Sequence, residues 1–588
     1  MIIAYLNIIV MMNLLAYLQN CFLSYPYGNM MKIIKSPLSE YDYQVRINQI
    51  SSKYGNNEIK NLEEYVKNNN DIISKFDYTF TSSGTSSGTQ MFLSFTVNQM
   101  FSLKQLNIFL MVHDDFYFGN RQSTPKHILY DYSSPNIAKD MHVGHLKSTI
   151  LGDALSNISE YLGNTVMRIN HIGDFGLPFG VIVEYIIRNN ITVDSNTSLQ
   201  QIYISARKAF DDNDDFKECA YVRTKELQEN SNEYTTSIWT SIYKNSIDSY
   251  NKVYTRLNIS ENLNVCGESH YYKYIKHVES LLTDKNMISV DTEGRKIVNI
   301  TNTNPIIFEK SQDRGNSYTY GTTDLCALWY RSTQLKCEEI YYVVDEGQSL
   351  HFKQLFTVGK DADWLTEQNQ SKHVAFGILL GKDGKRLKSR DGRAPKLNDV
   401  INEGIDYVTK MFETKNTVAT DDKISKVAIG SIKYYDLSKS RSTNYKFDFD
   451  NMMQSTGNTY TYISYSIARC NKIISNIDEF DNGLLPSIQS INKEELQSID
   501  YTLLRKICHF TEILELTDTQ KMPHYLCEYA HELAYLFNDN YTNTRCIEYN
   551  KDNEIISINC SRVIIYMFVN KSLKTIFKLL SLSPVDTL

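Results

Sequence analysis

The chain has 588 residues, which predicts about three to four domains, and its 42% hydrophobic and 22% charged residues are typical of a globular protein. The formal net charge of −7 argues against a uniformly basic nucleic-acid-binding protein. It leaves room for a local basic groove, because phosphate contacts depend on where Lys and Arg lie. Ten cysteines are scattered along the chain without a Cys-x-x-Cys pair, which predicts reduced thiols in a cytoplasmic protein and neither a metal-binding site nor a disulfide framework.

The first 28 residues form an N-terminal extension whose apolar part, residues 1–25, contains no Lys or Arg. A transmembrane span is one interpretation of this stretch. Asn7, Asn13 and Gln19 interrupt it, and no cleavage-site pattern is visible. These interruptions favour a packed amphipathic helix, so we expect no membrane contact.

Three regions that differ in their pattern of residue types follow this extension. Residues 29–125 mix short strand-like runs with charged helical stretches, which predicts a small α+β domain. Residues 126–400 alternate strands and helices and contain most of the glycine-bearing turns. Residues 401–588 predict an all-α bundle, with few glycines between helical runs. The clearest predicted helices of this bundle cover residues 424–437, 460–474 and 524–537.

The middle region opens with a strand–helix–strand pattern. A strand at 128–132 is followed by a loop at 133–144, a helix at 145–162 with apolar residues at helical spacing, and a second strand at 165–169. Parallel strands joined by a helix predict an α/β domain with a doubly wound, Rossmann-like sheet. Ligands of such sheets bind at the carboxyl ends of the strands, where the loop lies.

The loop ends in His142-Val143-Gly144-His145, at the start of the predicted helix. Backbone N–H groups at a helix N-terminus attract anions, and the two imidazoles add hydrogen-bond donors for a triphosphate. Gly144 removes a side chain where an adenine ring must approach closely. A lone pattern of this kind is often a surface turn, but its place between a strand and a helix favours a nucleotide site.

The residues around this histidine pair strongly resemble the signature of arginyl-tRNA synthetases, which are class I synthetases. The resemblance covers residues 134–149 and continues in 170–176, although Phe175, Leu177 and Pro178 replace the Trp, Thr and Gln of the familiar version. It implies ATP-dependent ligation of L-arginine to tRNA(Arg) through an arginyl-adenylate, with ATP and Mg²⁺ as the substrate complex. It also implies a monomer, and a nucleotide site that includes Gly173 and Asp174.

A basic segment at 381–392 has glycines at both ends that permit hinging. Its cations, with Lys385 and Lys388 as candidates, are suited to neutralise the leaving pyrophosphate. The simpler interpretation is a solvated basic turn. The segment is similar to a degenerate form of the class I lysine loop, and the resemblance implies that Lys139, just upstream of the histidine pair, shares its electrostatic role.

An arginine substrate needs buried carboxylates, because a guanidinium carries five donors and a permanent charge. Two separated motifs resemble those of the family and contain Glu268 and Asp324, which the resemblance implies grip the guanidinium. Tyr320 lies four residues before Asp324, so both side chains share one helix face, and it would pack on the aliphatic stem of the substrate. The resemblance adds Gln348 to the pocket, with Ser134 and Asn136 at the backbone end of the substrate. For any one acid taken alone, a helix cap or a surface charge is the simpler interpretation.

The flanking regions also resemble parts of the family. Residues 29–125 are similar to its small N-terminal domain, which leans on the tRNA elbow, and 401–588 to its anticodon-binding bundle. Residues 190–260 are a charged helical insertion that we expect to face the acceptor stem. Aromatic residues in the C-terminal region are explained mostly by core packing, but its Tyr-rich helices are also suited to stack RNA bases.

Two other hypotheses remain open at this stage. One is a class I adenylate-forming enzyme for a different amino acid, in which Glu268 and Asp324 have no role in the pocket. The other is a non-catalytic, synthetase-like RNA-binding or regulatory protein, which predicts a broken phosphate site. The histidine pair and the basic segment are both intact in this sequence.

Overall fold

A computed structural model describes most of the chain beyond the N-terminal extension. The described residues are 18–19, 32–36, 41–47, 56–82, 89–103, 124–194, 197–300, 303–311, 317–381, 383–385, 387, 394–480 and 491–585. The predicted N-terminal helix therefore lies almost entirely outside them, as do Lys388 and most of the basic segment. None of the helices within these ranges combines the length and the apolar character needed to span a bilayer.

The N-terminal region folds as one antiparallel sheet with a helix. Its strands are β1 (Ile33–Lys35), β2 (Tyr43–Arg46), β3 (Ile73–Ser82) and β4 (Thr89–Val97), in the order β1-β2-β4-β3, and its helix is α1 (Asn56–Asn68). Tyr43 is fully buried, stacks on His509 and hydrogen-bonds to Glu512, both in the C-terminal region. This tyrosine therefore joins the two ends of the chain.

The described part of the central region contains nine strands and nine α-helices. The strands are β5 (His127–Asp131), β6 (Thr165–Asn170), β7 (Leu263–Val265), β8 (Ile288–Val290), β9 (Lys296–Val298), β10 (Ile306–Glu309), β11 (Glu339–Tyr342), β12 (Gln370–His373) and β13 (Leu379–Leu380). The helices are α2 (Val143–Tyr161), α3 (Leu177–Arg188), α4 (Leu199–Asp212), α5 (Asp214–Glu229), α6 (Glu233–Arg256), α7 (Glu268–Tyr271), α8 (Ile275–Asp284), α9 (Tyr320–Trp329) and α10 (Ser349–Asp361).

Five of these strands form an all-parallel sheet in the order β12-β11-β5-β6-β7. The prediction of a doubly wound sheet is thereby confirmed. Chain order reverses between β5 and β11, so the carboxyl ends of these two strands flank the crevice in which ligands of such sheets bind. β5 has buried residues on both faces, Ile128 and Leu129 among them, because helices cover both sides of a parallel sheet.

The residues after β6 that differ from the familiar family motif are compatible with the start of a helix. Gly176 precedes α3 with a φ of 96°, a backbone conformation that glycine adopts without strain. Pro178 then occupies the first turn of the helix, where its missing N–H leaves no intrahelical bond unmade. The replacements at Leu177 and Pro178 are therefore compatible with the local geometry.

The C-terminal region is helical, with two short strand pairs. Its helices are α11 (Leu397–Thr414), α12 (Asp421–Leu437), α13 (Phe449–Met452), α14 (Tyr460–Phe480), α15 (Ser498–Cys508), α16 (Phe510–Gln520), α17 (His524–Asn543) and α18 (Cys560–Leu579). β14 (Tyr445–Lys446) pairs with β13, and β15 (Ile547–Tyr549) pairs with β16 (Ile555–Ile558). Tyr434, Tyr445 and Tyr460 are buried, so core packing explains these aromatic residues. Core packing is also what the sequence predicts for most aromatic residues of this region.

A fully buried arginine lies beneath the carboxyl end of β5. Arg331 follows α9 and donates to Asp131 over 2.7 Å, while its guanidinium lies between the rings of Tyr271 and Tyr342. A charge in such surroundings is tolerable only when it is paired. The pair therefore ties α9 to the strand that leads into the ligand-binding crevice.

We expect Arg331→Met to destabilise the protein by about 3–5 kcal/mol, because it leaves the Asp131 carboxylate buried without its cation. Chemical unfolding followed by tryptophan fluorescence measures the loss. Arg295→Met is the control, since Arg295 pairs with Asp291 at the surface and its loss should leave unfolding unchanged. Equal unfolding curves for Arg331→Met and the wild type would contradict this expectation.

Candidate active site

A cavity of about 750 Å³ opens at the carboxyl ends of the central strands. Most of the predicted site residues line it, although they come from distant parts of the sequence: Ser134, Asn136, His142, Gly144, His145, Gly173, Glu268, Tyr320, Asp324 and Gln348. The loop after β5 is joined to the loop after β6 by an isolated backbone bridge between Asn136 and Gly173. Both residues line the cavity. The parallel sheet thus brings the predicted nucleotide and amino-acid residues together.

The histidine pair starts α2 and caps it. His142 Nδ1 accepts a hydrogen bond from the backbone N–H of Gly144 over 3.1 Å, and His145 Nδ1 accepts one from the backbone N–H of His142 over 3.0 Å. The two rings stack with their centres 3.9 Å apart. A side chain at position 144 would collide with the His142 ring, because its Cβ would lie 2.8 Å from His142 Cε1.

These contacts define the protonation of the two rings. A ring nitrogen that accepts a hydrogen bond carries no proton, so the proton of each neutral imidazole lies on Nε2. Burial, together with the neighbouring His142, lowers the pKa of His145 to about 3. His145 is therefore neutral at physiological pH, and it has an Nε2–H to offer an anion near the α2 N-terminus.

The chain on either side of the basic segment is held by backbone hydrogen bonds. On its far side, the Val143 N–H donates to the Pro395 carbonyl over 3.0 Å and the Leu397 N–H donates to the Met141 carbonyl over 2.8 Å. On its near side, β13 is held by β14 of the C-terminal region. Lys385 is exposed and does not line the cavity. Lys388 lies outside the described residues.

Asp324 also lines the cavity, where two histidines hold its carboxylate. Its Oδ2 lies 2.7 Å from His351 Nε2, and its Oδ1 lies 3.3 Å from His171 Nε2. Burial alone would raise the pKa of this carboxyl, but the contacts with His171 and His351 outweigh burial and hold it below the usual range. Asp324 is therefore a carboxylate over the physiological pH range.

Glu268 begins α7 and behaves differently. It is half-buried and lies close enough to Asp324 and Asp174 for their charges to affect its ionisation. Burial, followed by these two carboxylates, raises the pKa of Glu268 to about 8. At neutral pH this carboxyl therefore keeps a proton, which an arriving cation would displace.

Two further predicted residues do not line the cavity. Lys139 places its ammonium 4.4 Å from the ring centre of Tyr203, in a neighbouring groove of about 1100 Å³. Asp174 turns its carboxylate toward Ser269. Both residues are close in sequence to residues that line the cavity, but their side chains contact Tyr203 and Ser269 instead.

Among the cavity-lining residues that sequence reasoning missed are one lysine and two histidines: Lys147, His171 and His351. His171 and His351 stand inside stretches that resemble the family, so their position gave a signal, but nothing in the sequence shows that both contact Asp324. Lys147 lies one turn after the histidine pair and is buried 3.7 Å from Asp436 of α12. Its partner belongs to a different region of the chain, which no local pattern reveals.

Comparison with known proteins identifies two family models along the chain. Residues 107–449 match the model described as tRNA synthetases class I (R), catalytic domain, and residues 463–588 match the DALR anticodon binding domain. The arginine–tRNA ligase of Acanthamoeba polyphaga mimivirus is 35% identical over 510 residues, covering 85% of this chain and 82% of the relative. A probable cytoplasmic arginine–tRNA ligase of Drosophila melanogaster is 34% identical over 475 residues, covering 78% of this chain and 70% of the relative.

Solved structures agree with these matches. The arginyl-tRNA synthetase of Plasmodium falciparum superimposes with a TM-score of 0.74 at 27% identity, over 97% of both chains. The Thermus thermophilus arginyl-tRNA synthetase gives the same TM-score of 0.74 over 97% of this chain, at 16% identity. The second likeness shows a shared fold.

The raised pKa of Glu268 predicts proton release when a guanidinium binds. Below pH 8 a bound cation converts Glu268 from the acid to the carboxylate, so affinity for arginine should rise about tenfold between pH 7 and pH 9. Calorimetric titrations in two buffers of different ionisation enthalpy measure the protons released. Glu268→Gln should bind more weakly and lose the release at pH 7, and equal release from both proteins would contradict the assignment.

Proposed function

This chain belongs to the arginyl-tRNA synthetase family of class I synthetases, and we propose how the residues of its cleft carry out the ATP-dependent ligation of L-arginine to tRNA(Arg) in translation. The observation that carries the proposal is the meeting of Glu268 and Asp324 in the cavity that also contains the histidine turn. Each acid lies in a different motif of the sequence, and a planar cation is the ligand that two facing carboxylates suit best.

The guanidinium of arginine binds between Glu268 and Asp324. Asp324 stays ionised because of His171 and His351, and Glu268 ionises as the cation arrives. Tyr320, 64% exposed in the open cavity, covers the aliphatic stem of the substrate. Ser134 and Asn136 hold the backbone end of arginine, and Gln348 completes the pocket.

ATP binds with its phosphates at the start of α2. The N-terminal N–H groups of the helix, with the Nε2–H groups of His142 and His145, stabilise negative charge there. Gly144 and Gly173 line the cavity without a side chain of their own and let the nucleotide approach. Lys388 and Lys385 of the basic segment, together with Lys139 upstream of the histidine pair, supply positive charge toward the leaving pyrophosphate.

Magnesium enters with ATP as part of the substrate complex and neutralises phosphate charge. Within the described ranges, no group of three or more His, Cys, Asp or Glu side chains is arranged to hold a metal ion. We propose that phosphate oxygens hold the ion, as is usual for Mg²⁺ in nucleotide sites.

The reaction consists of two displacements. The arginine carboxylate attacks the α-phosphorus of ATP, the bond to the β-phosphate oxygen breaks, and pyrophosphate leaves with the electron pair. A ribose hydroxyl of the terminal tRNA adenosine then attacks the adenylate carbonyl and releases AMP; class I membership implies the 2′-OH. The protein positions the reactants and stabilises charge, and we assign no general base.

The remaining regions bind the tRNA. We assign residues 29–125 to the tRNA elbow, 126–400 to catalysis with the insertion at 190–260 toward the acceptor stem, and 401–588 to the anticodon. The described cysteines are free, which agrees with a cytoplasmic protein. We expect a monomer, as the family resemblance implies.

An exposed aromatic platform on the C-terminal helices is suited to the anticodon loop. Tyr465 of α14 and Tyr541 of α17 are 45% and 40% exposed. The Arg469 guanidinium lies between them, 4.5 Å and 4.8 Å from the two ring centres, and donates to Asn538 over 2.6 Å. Contact with the arginine restricts the movement of both rings, and their exposed faces are suited to stack splayed RNA bases.

The activity is tested by ATP–pyrophosphate exchange with a panel of amino acids, in the presence of total tRNA. We expect exchange with arginine and with no other amino acid. His142→Ala should lower the exchange rate about 100-fold, because a charge-stabilising donor is lost, while tRNA binding stays normal. Exchange with another amino acid would contradict the proposed substrate, and an unchanged rate in His142→Ala would remove this residue from the site.

The platform is tested by the double substitution Arg469→Ala with Tyr541→Ala. Because stacking contributes about 1–3 kcal/mol per base, we expect the KM for tRNA to rise at least tenfold. The KM for ATP should not change, since the platform lies outside the cavity. Arg295→Ala is the matched control, because Arg295 is a half-buried arginine of the catalytic region that does not line the cavity. A normal KM for tRNA in the double variant would contradict the platform.

A further inference from the structure

The loop after β6 and the loop after β7 are joined beyond the ends of their strands. The Cys266 N–H donates to the Asn170 carbonyl over 3.0 Å, and the Glu268 N–H donates to the Ile172 carbonyl over 3.1 Å. These two bonds continue the parallel pairing of β6 with β7 and bring α7 against residues 170–174. The position of Glu268 is thus set by the neighbouring loop.

Asp174 makes the next contact in this series. Its Oδ1 accepts from the Ser269 N–H over 2.8 Å, and its Oδ2 accepts from the Ser269 hydroxyl over 2.6 Å. Asp174 is 2% exposed, and its carboxylate faces α7 rather than the cavity. Both oxygens of this carboxylate are therefore engaged by the residue that directly follows Glu268.

The sequence around α7 is adapted to this contact. α7 has four residues, and the residue before it, Gly267, has no side chain with which to cap the first turn. A Cβ at Gly267 would lie 2.4 Å from Asp174 Oδ2, so only glycine leaves room for the carboxylate. Asp174 thus replaces, from another loop, the cap that the short helix lacks.

The same loop is held from its other side by the helical insertion. The indole N–H of Trp239, in α6, donates to the Asp174 carbonyl over 3.1 Å. Asp174 is therefore fixed through its backbone by α6 and holds α7 through its side chain. This arrangement places a fixed carboxylate beside Glu268.

We propose that Asp174 is a positioning residue for the amino-acid substrate, which orients Glu268 opposite Asp324 and does not contact ATP. The inference rests on the proposed role of Glu268 in binding the guanidinium. It separates Asp174 from the nucleotide residues that precede it, Gly173 among them, although the two are adjacent in sequence. It also makes Trp239 one of the points at which the insertion supports the arginine pocket.

The experiment compares Asp174→Ala and Asp174→Asn in the full-length protein, with KM for arginine and for ATP measured by pyrophosphate exchange in the presence of tRNA. Asp174→Ala should raise the KM for arginine about tenfold or more, since a charge-assisted pair of hydrogen bonds is lost, and leave the KM for ATP within about twofold. In Asp174→Asn the amide oxygen still accepts from the Ser269 N–H, so we expect the KM for arginine to stay within about threefold of the wild type.

Coupling to Glu268 separates positioning from a general structural role. If Asp174 acts through Glu268, adding Asp174→Ala to Glu268→Gln should raise the KM for arginine no further than Glu268→Gln does alone. Asp448→Ala is the matched control. Asp448 likewise caps a short helix, α13, by accepting from the Asp450 N–H, but it does not line the cavity. We expect this control to behave as the wild type in both KM values.

Three results would overturn the inference. They are an unchanged KM for arginine in Asp174→Ala, a KM for ATP that rises as much as that for arginine, and full additivity in the double variant. If Asp174→Ala does not fold, Ser269→Ala removes one of the two bonds and should raise only the KM for arginine, and equal KM values in that variant and the wild type would also overturn it. A normal KM for arginine in Glu268→Gln would instead reject the proposed pocket itself.

Discussion

Buried charge has to be paired, and the architecture of the cleft follows from this constraint. Arg331 and Asp131 neutralise each other beneath the sheet, and the Arg331 guanidinium also lies 3.3 Å from His171 Nδ1. His171 in turn contacts Asp324, which His351 holds from the other side. The protein therefore pairs its own buried cation internally, whereas burial and the neighbouring carboxylates keep the pKa of Glu268 raised in spite of His171. In the proposed mechanism a guanidinium from solution completes the set, which makes charge pairing both a source of stability and the basis of substrate choice.

The parallel sheet makes this arrangement possible. Carboxyl ends of adjacent parallel strands lie at one edge, so the loops after β5, β6 and β7 converge although long stretches of chain separate them. Hydrogen bonds between these loops then set side-chain positions that the strands alone leave open. The histidine turn is an example, because its two imidazoles cap α2 through backbone contacts and thereby acquire a defined proton position.

The C-terminal helices contribute to the cleft as well as to the proposed RNA surface. Asp436 lies beside Lys147, which lines the cavity. The side chain of Asn444 accepts from the Ile378 N–H over 2.7 Å, just before β13 and the basic segment. A shift of the helical region would therefore move Lys147 and Ile378, both of which line the cavity. This is a physical connection between two regions that perform different steps of recognition.

Local sequence determined the fold class and the place of the nucleotide site. Apolar spacing in residues 145–162 predicted α2, the strand pattern on either side predicted a parallel sheet, and the histidine pair pointed to its N-terminus. These features depend on periodicity and on residue types within a few turns of one another, and such short-range patterns are visible along the chain. Glu268 and Asp324 were expected instead from the resemblance of their two motifs to those of the family.

Tertiary structure alone decided which neighbour each polar group faces. Gly173 and Asp174 are adjacent in sequence, yet one lines the cavity and the other holds α7. Tyr460 is buried whereas Tyr465, on the same helix, is exposed, and the Lys147–Asp436 pair joins residues from two regions. The pKa of Glu268 likewise depends on Asp324 and Asp174, which reach it only after the strands pair. The reason is physical: burial, desolvation and charge pairing are properties of the surroundings in space, and residues far apart in the chain supply them.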